Sequence, residues 1–162
     1  MSNTFVFTEC FNCAPICKIM LESYHKHNDY PIVVFGSLED IEKLETMGQH
    51  PNTICCNIGG ETFLNSFKKG HEGTSKLMAA LCKKAFDFPD YSKFVRIDSD
   101  IYFKKESLSE IENSFEEGYD IIGTRRCYAN NPGGVKGLEG YPDTISTYFM
   151  GMNLEKLPEY DI

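Results

Sequence analysis

No stretch of this chain is apolar for the roughly 20 residues that a membrane-crossing helix needs. Its opening, Met1-Ser2-Asn3-Thr4, lacks the basic start and long apolar run of an export signal. These two absences predict a cytoplasmic protein with no membrane span. Positive charge is also scarce. Sixteen Lys and Arg face 24 Asp and Glu, for a net charge of −8, and no basic patch stands out. Such a surface repels nucleic-acid phosphates, so nucleic acid is excluded as a partner. An anionic small molecule stays open if a metal cation supplies the local positive charge. Internal repeats, low-complexity tracts and long linkers are absent too. With 162 residues, 41% of them hydrophobic, the chain reads as one domain with a real core. The 7 cysteines are odd in number and include the adjacent Cys55 and Cys56, which fits free thiols in a reducing compartment better than a disulfide framework.

What is present is an alternation of strand and helix patterns. Thr4 to Thr8 is a β-branched, apolar run that predicts a first strand. A helix follows, opened by Asn12 as its cap with Pro15 in the first turn, carrying Ile16, Ile19, Met20 and Tyr24, and closed by Asn28-Asp29. Pro31 to Phe35 is a second buried strand, Leu38 to Met47 a helix and Asn52 to Cys56 a third strand. Thr74 opens a helix with Leu77, Met78, Leu81, Cys82, Ala85 and Phe86 on one face. Lys93 to Ile97 is a fourth strand, which Ile101 to Phe103 continues in extended form. Ser107 to Glu117 is an amphipathic helix with Leu108, Ile111 and Phe115 inward. Tyr119 to Gly123 is a fifth strand, Asn130 to Tyr141 a long Gly- and Pro-rich loop, and Ile145 to Met152 a last strand, with a short helical turn around Leu154. The pattern is that of an α/β domain with a mostly parallel sheet. Ligands of such sheets bind beyond the carboxyl ends of the strands, which puts Thr8 to Asn12 and Asp98 to Asp100 on one rim.

The chemistry is concentrated in F-V-R-I-D-S-D-I-Y-F. Burying two carboxylates one residue apart costs several kcal/mol unless they are paired or metal-bound. At a strand end they are available to Mg²⁺ or Mn²⁺, hard cations that bridge carboxylates to diphosphate oxygens. Strand alternation would point Asp98 and Asp100 the same way, leaving Ser99 to offer backbone contacts. The plainer reading of the same residues is a solvated turn. Arg96, in the strand just before, most simply pairs with a carboxylate such as Asp98 or a neighbour. Cys10, Cys13 and Cys17 lack a clear fourth ligand and read as small buried hydrophobes. Cys55 and Cys56 read as strand residues.

The segment K-F-V-R-I-D-S-D-I-Y-F is similar to the central strand and D-x-D signature of the GT-A glycosyltransferases. V-F-T-E-C-F-N-C-A-P resembles their first strand and nucleotide-binding loop, loosely as in family 8. E-G-T-S-K-L-M-A-A-L-C-K-K-A-F resembles the helix that brings a basic residue to the donor sugar. T-Y-F-M-G-M-N-L-E-K-L resembles a later strand with a small residue near the sugar. The resemblance implies one GT-A domain over residues 1–162: a Rossmann-like fold, a Mn²⁺ or Mg²⁺ cofactor, a nucleotide-diphosphate sugar donor (UDP by analogy) and a glycan, lipid or protein acceptor. It implies that Asp98 and Asp100 are the catalytic and metal-binding pair, Asp100 as main ligand and Asp98 touching ribose, metal or both. It implies that Thr8, Glu9 and Asn12 line the base and ribose pocket, that Lys76 reaches the donor sugar or diphosphate, that Ser99 joins the donor contacts, and that Met150 and Gly151 flank the sugar or acceptor site.

There are departures from the pattern. Cys10 and Phe11 stand where an acidic residue is common, and the chain stops at Ile162, before the segment that usually brings a further metal ligand, often His. Either water and substrate fill that position, or the chain is a fragment or minimal form. Two rival readings remain. One is a nucleotide-sugar binding module or pseudoenzyme without turnover. The other is a phosphatase, which is disfavoured because its acidic pair would follow the first strand and because Tyr102 stands where Thr is needed. His71 and Glu72 read as loop residues before the Lys76 helix. Arg125 and Arg126 face acceptor or solvent. Glu139 and Asp143 are the acids of the long loop from which a general base would come.

Overall fold

A computed structural model describes residues 4–59, 91–119, 121–126 and 144–153. In chain order they form β1 (Thr4–Cys10), α1 (Ala14–His27), β2 (Ile32–Gly36), α2 (Leu38–Thr46), β3 (Thr53–Asn57), β4 (Lys93–Ile97), α3 (Leu108–Glu116), β5 (Ile121–Arg126) and β6 (Thr144–Asn153). The Thr74 helix, the Asn130–Tyr141 loop and the turn at Leu154 lie outside the described residues.

The strands make a six-stranded sheet in the order β3-β2-β1-β4-β6-β5. β3, β2, β1 and β4 are mutually parallel, and β6 runs antiparallel to both β4 and β5. The domain is therefore α/β with a mostly parallel sheet. β1 and β2 are buried along their whole length, as strands covered on both faces must be, which is why their sequences are apolar without a break.

Alternation divides the side chains between the two faces. Val6, Cys10, Ile32, Val34, Val95 and Ile97 pack against Cys17, Met20 and Tyr24 of α1, Ile41 and Leu44 of α2, and Leu108, Ile111 and Phe115 of α3. The other face carries an aromatic row. The ring of Phe7 lies 5.7 Å from those of both Phe35 and Phe94. Glu9 and Arg96 extend this row toward the strand ends.

Local chemistry explains most helix ends. Ser37 caps α2, its hydroxyl accepting from the Asp40 amide at 3.2 Å, and Glu39 and Asp40 favour the positive end of the helix dipole. Glu106 caps α3 by accepting from the amides of Leu108 at 2.7 Å and Ser109 at 2.9 Å. Two expectations are corrected. Asn12 does not cap α1: Cys13 occupies that position, and Asn12 adopts a left-handed conformation with φ 56° that turns the chain out of β1. Asn is one of the few residues that tolerates this. Ile101 to Phe103 is not strand, because the chain turns at Asp98–Ile101, where the Ile101 amide donates to the Asp98 carbonyl at 3.3 Å. Phe103 is instead drawn into the core, its amide donating to Ser23 Oγ at 3.0 Å. β5 continues three residues beyond the expected Gly123, to Arg126.

Candidate functional site

The chain order of the strands reverses between β1 and β4. From β1 it steps outward to β2 and β3, and then returns to lay β4 on the other side of β1. At such a switch point the loops leaving two adjacent parallel strands diverge and open a crevice. Here those loops are the segment after Cys10 and the Asp98-Ser99-Asp100 turn.

The two loops touch. Cys13 Sγ lies 3.5 Å from Ser99 Oγ. Beneath them, a single nitrogen of Arg96, Nη2, donates both to Glu9 Oε1 of β1 and to Asp98 Oδ1. Arg96 and Glu9 are each 7% exposed, so the guanidinium and its carboxylate partner are largely out of water. Burial pushes the Glu9 carboxyl up to about 7, against the attraction of Arg96. Burial also raises Asp98, Arg96 opposes the shift, and the like charge of Asp100 adds to it. Contact with Cys10 and then burial push the Cys13 thiol well above its ordinary range, so it stays neutral beside the turn.

The turn itself departs from the extended geometry expected of it. Asp98 and Ser99 are half-buried and Asp100 is exposed. Strand alternation therefore does not carry through the motif. Asp and Ser favour turns because their short polar side chains bond to nearby backbone, and the carbonyl of Asp98 closes this one.

The expected site residues fall into three groups. Thr8, Glu9, Asn12, Asp98, Ser99 and Asp100 all lie at the β1 and β4 ends. Within this group Thr8 is fully buried on the helix-covered face, and its hydroxyl has no hydrogen-bond partner among the described residues. Asn12 is exposed, and its amide donates to Asp40 Oδ2 at 2.9 Å, which ties the loop to α2. Gly151 forms the second group, because the structure places it away from this rim. It pairs with Val95 inside the sheet, and a Cβ on it would stand 2.8 Å from Phe115 Cζ and 3.0 Å from Ile111 Cγ2. The small residue there is accounted for by the close approach of α3. Met150 is the backbone partner of Arg96, also inside the sheet. The third group, Lys76, His71, Glu72, Glu139 and Asp143, lies outside the described residues. Arg125 and Arg126 end β5. Cys10 and Cys17 are fully buried in the core, and Cys55 and Cys56 are strand residues of β3.

Sequence reasoning paired Arg96 with an acid but missed that it joins Glu9 to Asp98. The available signal was an arginine in the strand interior, between apolar Val95 and Ile97. It also missed Asp40, whose buried carboxylate holds the loop. A cavity of about 430 Å³ between α1, α2 and β3, lined in part by His25, His50 and Thr53, lies at the opposite end of the strands.

Among the described residues no group of three or more His, Cys, Asp or Glu is arranged to hold a metal. Asp98 and Asp100 nevertheless fit a hard divalent cation. They are oxygen donors in one turn, close enough for the charge of Asp100 to raise Asp98, and Mg²⁺-type ions are commonly held by one or two carboxylates, with water and substrate phosphates completing the shell.

No family model matches the chain, and no curated protein is similar to it in sequence. The fold is that of the GT-A glycosyltransferases. Mouse xyloside xylosyltransferase 1, in its apo form, superposes with a TM-score of 0.62 at 13% identity, over 98% of this chain and 70% of that one. An active-site mutant of LgtC superposes with a TM-score of 0.64 at 15% identity, over 97% of this chain and 60% of that one. The galactosyltransferase LgtC in complex with donor and acceptor sugar analogs gives 0.59 at 13% identity, over 96% and 60%. The chain thus spans 60% of the length of the LgtC structures.

Proposed function

We propose that the chain binds a nucleotide-diphosphate sugar across the ends of β1 and β4 and transfers the sugar to an acceptor hydroxyl, with Mn²⁺ or Mg²⁺ held by Asp98 and Asp100. One observation carries this reading: the first-strand loop and the acidic turn meet at the sheet's switch point, linked by Glu9, Arg96 and Asp98. The GT-A fold supports it, as does a structural neighbour, LgtC, in complex with donor and acceptor sugar analogs. Thr8, Glu9 and Asn12 would border the nucleoside, by the family resemblance, with UDP as the nucleotide. Lys76 would reach the donor sugar or diphosphate, while Gly151 would act only through the packing that supports β4. Asp100, the exposed carboxylate, would be the main metal ligand and Asp98 the half-buried second one. The bound ion would offset charge on the departing diphosphate. In the transfer, the acceptor oxygen bonds to the anomeric carbon, the bond from that carbon to the diphosphate breaks, and the acceptor proton leaves to a base or solvent. The acceptor is a glycan, lipid or protein, and the protein acts in the cytoplasm.

The test is a thermal-shift panel of UDP-, GDP- and CMP-sugars with Mn²⁺ or Mg²⁺, on the wild type and on Asp100→Ala. A ligand at 100 times its Kd adds about 2.7 kcal/mol of stability, which is about 5–10 °C in a chain of this size. The shift should require the metal and vanish in Asp100→Ala, whose exposed side chain is dispensable for folding. No metal-dependent shift with any donor refutes the proposal. Binding without release of nucleoside diphosphate selects the non-catalytic binding module instead.

A further inference from the structure

We infer that Arg96 is a positioning residue: it clamps the end of β1 to the acidic turn, and so sets the spacing between the nucleoside and diphosphate halves of the site. The inference rests on the donor-site reading above and extends it to a buried residue beneath the acidic turn. Its basis is geometric. Glu9 and Arg96 are 87 residues apart in sequence, on adjacent strands, and meet through the same Nη2 atom that holds Asp98 Oδ1. A buried charge costs several kcal/mol unless well paired, and apolar residues of the same volume often serve stability as well or better. Beside this position the sheet face is an aromatic row, so a guanidinium here is a departure that stability alone does not call for. What the guanidinium adds is direction. Its planar Nη2 carries two N–H bonds at a fixed angle, one for each carboxylate, whereas a lysine ammonium is a freely rotating point charge. By engaging one oxygen of Asp98, it also leaves exposed Asp100 as the carboxylate turned to solvent.

The clamp predicts that Glu9 acts on the turn through Arg96, from a different strand. In ligand-free protein, amide exchange of Ile101, whose N–H closes the turn on the Asp98 carbonyl, reports on this. Arg96→Lys keeps the charge and loses the fixed planar donors; Glu9→Gln keeps the volume and loses the charge. Each should speed Ile101 exchange about tenfold, the size expected for losing one charge-assisted hydrogen bond. The double variant should go little further, since both changes release the same clamp. Unchanged exchange in either folded variant, or full additivity between them, overturns the proposal. If Arg96→Lys does not fold, Glu9→Gln alone decides on the same criterion.

A second readout separates this inference from the function beneath it. Titration of Mn²⁺ with UDP, well below the melting temperature, should show Kd raised about tenfold in Arg96→Lys. A purely structural Arg96 would lower Tm and leave Kd unmoved, which refutes the clamp while the donor reading stands. If the wild type binds no nucleotide, the donor reading fails, and Ile101 exchange still decides on the clamp.

Discussion

Gly36 ends β2 beside the exit of β1, and replacing it with alanine tests how tightly the two strands close beneath the site. The new Cβ would stand 2.8 Å from the carbonyl oxygen of Cys10 and 3.2 Å from Cδ1 of Ile41. The Ile41 methyl is the end of a flexible side chain and can rotate away. The Cys10 oxygen is backbone, and it cannot retreat unless the last residue of β1 moves. Cys10 and Gly36 are register partners, so relief has to come from opening the final rung of the β1–β2 ladder. The Gly36 carbonyl also accepts from the Ile58 amide at 3.0 Å, which resists the movement from the other side. Overpacking of this kind costs ~1–3 kcal/mol. The lower entropy of an unfolded alanine chain offsets ~0.4–1 kcal/mol of that. The net loss is then about 1–2 kcal/mol, or about 2–8 °C in melting temperature for a chain of this length. Urea unfolding followed by far-ultraviolet circular dichroism should show a lower midpoint with an unchanged slope. A midpoint equal to or above that of the wild type would mean that this contact does not limit the approach of β1 and β2, and would refute the reasoning.

Two further predictions concern the supports of the site and the far end of the sheet. Asp40→Ala removes the buried oxygen that accepts from the Asn12 amide at 2.9 Å and from Ser37 Oγ at 2.7 Å. Leaving those donors unsatisfied should cost ~1–3 kcal/mol, with faster amide exchange at Asn12; wild-type stability and exchange would contradict the anchoring role. His25 stacks on His50 with ring centroids 3.8 Å apart, and burial, then the positive charges of His50 and Lys18, lower its pKa from 6.5 to about 4. The folded form therefore resists a proton that the unfolded chain accepts. The stability from neutral His25 is fully present above pH 6.5 and is lost as pH falls toward 4. His25→Gln should flatten the decline of the urea midpoint across that interval, and an unchanged slope would show that other groups carry it.

Much of the local architecture could be read along the chain. Lys93–Ile97 matches its expected bounds because Phe94, Val95 and Ile97 supply a strand-forming run that leads directly into turn-forming Asp98-Ser99-Asp100. Leu108, Ile111 and Phe115 were predicted to face inward, and they do, because helical spacing puts them on one side of α3. Where the reading went astray, a neighbour decided the matter. Asn12 has the side chain of a cap, but Asp40, 28 residues away, holds its amide and the chain turns there. At Gly151 the fold adds a reason for a small residue that the local stretch does not show, because Phe115 and Ile111 close in beside it.

From its order of residues alone, the chain determined most of the described strands and helices, and that two acids stand where a strand gives way to a turn. These are properties of periodicity and of short-range backbone bonding, which neighbouring residues set among themselves. Tertiary structure alone decided that β4 lies beside β1 rather than at an edge, that one guanidinium joins Glu9 to Asp98, and that Cys13 reaches Ser99. Strand order depends on which distant segments bury each other's faces and share hydrogen bonds, and no local pattern carries that choice.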